Sequence, residues 1–133
     1  MEMPVKTLEV DMGKYKSVEL TVDEAEKLVM FIVDKLGIEP NDVNEFFRII
    51  RNFDAFYDVM RKKFKDYLVP SKSMNDMILG RVIIDKVKLI KEGGNKKVVL
   101  VFDKRVPENI IVEGLKSLGY EVEVKRYELF QQT

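Results

Sequence analysis

Apolar and polar positions along the chain fall into blocks that predict a mixed α/β domain. Val5–Asp11 and Tyr15–Leu20 have strand-like content and flank Met12-Gly13-Lys14, which predicts an opening β-hairpin. Thr21 with Glu24 matches a capping box, and Asp23, Glu24 and Glu26 crowd the positive end of the helix dipole that follows. Ala25, Leu28, Val29, Ile32 and Leu36 recur at helical spacing, with Gly37 as the stop and Ile38 as its apolar neighbour.

Pro40-Asn41-Asp42 reads as a turn and cap, with Asp42 and Glu45 forming a second box-like start. The spacing then predicts one long helix from about Val43 to about Leu68, roughly 39 Å at 1.5 Å per residue. Phe46, Ile50, Phe53, Tyr57, Met60, Phe64 and Tyr67 lie alternately four and three apart, a heptad seam. That seam either packs as core or pairs with a second copy of the chain through Phe53, Tyr57, Met60 and Phe64. Aromatics at most seam positions argue against a simple two-stranded coiled coil.

Ser73 with Asp76 favours a third helix from Met74 to about Lys91, stopped by Gly93-Gly94. A strand from Val82 to Ile90 turning at Gly93-Gly94 is the alternative. Val98–Phe102 is a continuous apolar run, the pattern of a strand covered on both faces. Pro107 opens a helix whose buried stripe is Ile110, Ile111, Leu115 and Leu118, ended by Gly119. Tyr120, Val122 and Val124 alternate with Glu121, Glu123 and Lys125 as a half-buried strand. Strand, helix and strand make a βαβ unit, whose crossover should be right-handed.

The expected fold is therefore α/β, with α+β as the alternative. It is a single domain spanning 1–133, with a mixed sheet of about four strands, an N-terminal hairpin, a C-terminal βαβ unit and three to four helices. One of those helices is the long amphipathic one. A chain of 133 residues has room for one core of ordinary size. Apolar runs of six residues or fewer are too short to cross a bilayer, so no membrane partner is expected. Met1-Glu2-Met3-Pro4 has neither the basic nor the apolar part of a signal peptide, and the expected location is cytoplasmic. Abundant Lys and Glu with two Ala and two Gln resemble a thermophile composition, which an AT-rich genome also produces.

Charge changes the picture most. The net charge is zero, yet residues 1–47 carry 5 Lys/Arg against 11 Asp/Glu, residues 48–105 carry 15 against 7, and residues 106–133 carry 3 against 5. A basic middle beside an acidic first third points to an anionic partner or to complementary self-association. Arg61, Lys62 and Lys65 lie off the apolar seam and are the candidate contacts for nucleic-acid backbone, without sequence reading. Asp58 and Asp66 stand four residues either side of Lys62, which predicts that part of this charge is matched locally. Aromatic side chains that could stack on bases are mostly assigned to the seam.

The chain has no Cys and no His. Thiolate nucleophiles, cysteine metal sites, imidazole bases and Ser-His-Asp triads are thereby excluded. We expect no catalytic residue, metal or cofactor, and the primary expectation is a small non-catalytic binding module. Its partner is nucleic-acid backbone, an acidic protein surface or a second copy.

Two further constellations carry candidate chemistry. Lys104 and Arg105 lie between a strand end and a helix N-terminus, where an anion is favoured. No glycine lets a phosphate-cradling nest form there, and Gly93-Gly94 would free carbonyls rather than N–H groups. Glu123 and Lys125 share a strand face, and with Asp103 they form the alternative reading, a Mg²⁺-dependent nuclease or nucleotide-handling enzyme.

Overall fold

The first helix begins where local chemistry directs. In a computed structural model that describes residues 3–11 and 15–127, Thr21 Oγ1 accepts the N–H of Glu24, and the Glu24 carboxylate accepts the N–H of Thr21. This reciprocal cap satisfies two N–H groups that the helix leaves without partners. Helix α1 (Val22–Leu36) ends at Gly37, whose φ of 66° is the left-handed conformation glycine adopts without strain.

Strands β1 (Val5–Asp11) and β2 (Lys16–Thr21) pair antiparallel as expected, while their Met12-Gly13-Lys14 turn lies outside the described residues. The predicted long helix is two shorter ones, α2 (Asn41–Arg51) and α3 (Phe53–Lys62). Asn52 interrupts them with φ −121° and ψ 43°, and its side-chain amide donates to the Arg48 carbonyl. Asn favours such local side-chain bonding over helical continuation. The seam is correspondingly divided. Phe46, Ile50, Phe53 and Met60 are buried, Tyr57 and Tyr67 are half-buried, and Phe64 lies outside both helices.

Asp42 does not cap α2. Its carboxylate turns inward and accepts the N–H groups of Ile83 and Ile84 at 2.8 and 2.9 Å. The expected helix over residues 74–91 is also corrected. Helix α4 (Met74–Leu79) has the predicted Ser73 cap, but it stops at Gly80, again left-handed with φ 68°. The chain then forms β3 (Ile84–Glu92), turns at Gly93-Gly94 and returns as β4 (Asn95–Phe102). Both turn glycines have positive φ, 54° and 90°, as a tight two-residue hairpin requires. Helix α5 (Glu108–Ser117) and β5 (Glu121–Tyr127) complete the order.

The sheet has five strands, not four, in the order β3-β4-β2-β1-β5, and the described residues hold five helices. Only β1 and β5 pair in parallel. β4 and β5 run the same way, but β2 and β1 lie between them, so the βαβ unit is split. Leu8, Val10, Val18, Leu20, Val98, Leu100 and Phe102 meet Ala25, Leu28, Val29, Ile32, Phe46, Ile111 and Leu115 of the helical layer. Tyr120 donates its hydroxyl to Glu24 and ties the start of β5 to the start of α1. That bond, reinforced by burial, pushes the Tyr120 hydroxyl up to about 12. No helix among the described residues is long and apolar enough to cross a membrane.

Candidate nucleic-acid interface

Helix α3 ends in a Schellman arrangement. The N–H of Phe64 bonds the Arg61 carbonyl at 3.1 Å and the N–H of Lys65 bonds the Met60 carbonyl at 3.0 Å. This places Phe64 at the left-handed position, with φ 52°. Gly80 ends α4 the same way, its N–H bonding Met77 and that of Arg81 bonding Asp76. Phe64 is the one residue other than glycine with positive φ among the described residues. Its side chain is 95% exposed.

Four cations surround that ring in sequence: Arg61, Lys62, Lys63 and Lys65, all exposed. A shallow groove of about 280 Å³ runs from here to β3, lined by Tyr57, Met60, Arg61, Lys65, Lys88 and Lys91, with Asp66 and Leu89 and Ile90 completing it. Its floor is fixed by packing. Tyr57 stacks on buried Phe53 at 6.1 Å between ring centroids and 11° between planes. Arg61 and Lys91 lie over the Tyr57 ring at 5.9 and 4.8 Å.

Not all of the charge is available. Asp54 pairs with Lys91 at 2.9 Å and Lys96 at 3.1 Å, and these bonds lower its carboxyl while Asp54 raises Lys91. In contrast, Lys62, Lys63, Lys65 and Lys88 make no ion pair among the described residues. The expected Asp58–Lys62 and Lys62–Asp66 pairs do not form, the second because the helix ends at Lys62 and Asp66 leaves its face.

The second basic position is differently placed. Lys104 and Arg105 lie at the start of β3, whereas the groove lies near its end, about 20 Å away along the strand. Asp103 Oδ1 holds both the backbone N–H and the Nε of Arg105, at 2.9 and 3.0 Å. The first turn of α5 already carries Glu108, which takes a bidentate bond from Arg126 that lowers its carboxyl. The helix N-terminus here is thus served by the chain's own carboxylate.

Asp103, Glu123 and Lys125 are not brought together. β4 and β5 stand three strand spacings apart, about 14 Å. Among the described residues no group of three or more acidic side chains is arranged to hold a metal. Of the four residues considered for self-association, Phe53 and Met60 are buried within the protomer, Tyr57 is half-buried and Phe64 alone is fully exposed.

Sequence reasoning identified Arg61, Lys62 and Lys65 but missed Lys63 and the exposure of Phe64. The run Arg61-Lys62-Lys63-Phe64-Lys65, four cations enclosing one aromatic, was the available signal. A second unforeseen surface is α4, where Met74, Met77, Ile78 and Leu79 are all exposed and nothing is buried. The chain matches no known family, no curated protein and no solved structure.

Proposed function

We propose that this protein is a small non-catalytic binding module that takes nucleic-acid backbone at the C-terminal end of α3 and the adjoining groove. The observation that carries this reading is the set of exposed cations Lys62, Lys63 and Lys65, joined by half-buried Lys88, none of them in an ion pair among the described residues. A phosphate backbone matches such a cluster because contact releases condensed counterions, and the affinity gain needs no base recognition. An acidic protein surface is the other anion such a cluster accepts. A Mg²⁺-dependent enzyme is less well supported, since Asp103 follows β4 and Glu123 lies on β5, with two strands between them.

Fluorescence anisotropy with labelled oligonucleotides at ~50 and ~200 mM salt tests this reading. Four phosphate contacts should give about a hundredfold loss of affinity across that range. Reversing Arg61, Lys62 and Lys65 together to Glu should weaken binding well over tenfold and reduce the salt slope by about three contacts. These side chains are exposed, so circular dichroism should show an unchanged fold. Unaltered affinity in that variant would mean the surface is the wrong one. No binding at the lower salt would overturn the reading and turn attention to α4.

A further inference from the structure

We infer that Phe64 is a base-stacking residue and that the ligand of this surface is single-stranded nucleic acid. The inference rests on the backbone-binding reading and adds the strandedness of the ligand. Three observations converge on the ring. First, the left-handed position that closes a helix belongs to glycine, as Gly37 and Gly80 show in this same chain. A residue with a Cβ is strained there. Second, the ring gains nothing from burial to offset that strain. It is 95% exposed, whereas Phe46 at the other end of the seam is fully buried. Third, the strained residue sits among Arg61, Lys62, Lys63 and Lys65.

Strain held at an exposed site points from structure toward function. A large exposed apolar face flanked along the chain by cations matches a ligand that is both flat and anionic. Unpaired nucleotides have that chemistry, because the base offers a π-face while its phosphate meets a lysine. In a duplex the faces are covered by neighbouring bases, so a ring at a helix tip finds only phosphates. An acidic protein surface would meet the cations but give the ring no flat partner.

The chain contains no Trp, so Phe64→Trp introduces a single fluorescent reporter at the site. Its emission is read while oligo(dT), a duplex of equal phosphate number and heparin are titrated at ~50 mM salt. We expect strong quenching by oligo(dT), little by the duplex and none by heparin, which carries charge without bases. Phe64→Gly should melt at the same or a higher temperature yet bind oligo(dT) about tenfold to a hundredfold more weakly. Equal affinity for single strands and duplex, with Phe64→Gly unaffected, would overturn the stacking role and leave the backbone reading standing. Failure of heparin, duplex and oligo(dT) alike to bind would overturn both.

Discussion

Replacing Asp42 with Ala should cost about 2–6 kcal/mol of folding stability, a large share of the roughly 5–15 kcal/mol of an ordinary domain. The side chain is buried between α2 and the entry to β3, and one of its oxygens accepts two backbone N–H groups. Alanine would leave both donors buried without an acceptor, at about 1–3 kcal/mol each. Urea denaturation would measure this directly, and a loss under about 1 kcal/mol would show that water or a shifted backbone replaces the carboxylate.

Asp42 also gives a pH signature. Burial raises its carboxyl above the ordinary 3.8, although the N–H groups of Ile84 and Ile83 and the charge of Lys72 pull the other way. The folded state therefore holds this proton more tightly than the unfolded state. Its contribution is most favourable below about pH 4 and diminishes as pH climbs through the raised folded value. Asp42→Asn keeps an acceptor oxygen but cannot titrate. Its stability should be flatter with pH than that of the wild type just above pH 4, and an identical slope in both proteins would assign the dependence to other groups.

The second large effect is a contrast between two phenylalanines from one heptad seam. Phe46→Ala should cost about 3–5 kcal/mol, because a fully buried ring leaves both a transfer loss and a cavity. Phe64→Ala should stay within about 0.5 kcal/mol of the wild type, as exposed substitutions usually do. Denaturation midpoints with unchanged slopes would establish the comparison. Equal losses would place Phe64 in the core and remove it from the proposed interface.

Those two residues also mark how far the sequence could be read. Signals that act within one turn of chain were legible: the Thr21–Glu24 box, the Gly37 stop, the Ser73 cap of α4 and the glycine ending of α5. Signals resolved by distant partners were not. Asp42 has the local pattern of a cap, but its acceptors' true claimants, Ile83 and Ile84, lie some forty residues on. Gly93-Gly94 ends a helix or turns a hairpin with equal ease, and pairing with β4 decided for the hairpin. Heptad spacing continues across Asn52 and Phe64 because spacing does not register φ. On the candidate site, the cations of α3 were visible as composition, whereas Lys88 joined them only through the approach of β3.

The parallel pairing of β1 with β5 carries a consequence for the life of the chain during synthesis. Val5 lies opposite Glu121 and Asp11 opposite Tyr127, so the opening hairpin waits for the last described strand before its outer edge is closed. Until then β1 presents bare N–H and C=O groups, the template on which strands of neighbouring chains misassemble. Such distant closure is also slow, since the intervening chain must first be ordered. The nascent protein is thus most vulnerable to aggregation in the interval between completing the β3–β4 hairpin and delivering β5. Lys6 and Glu9 place opposite charges along that waiting edge, a deterrent to premature partners.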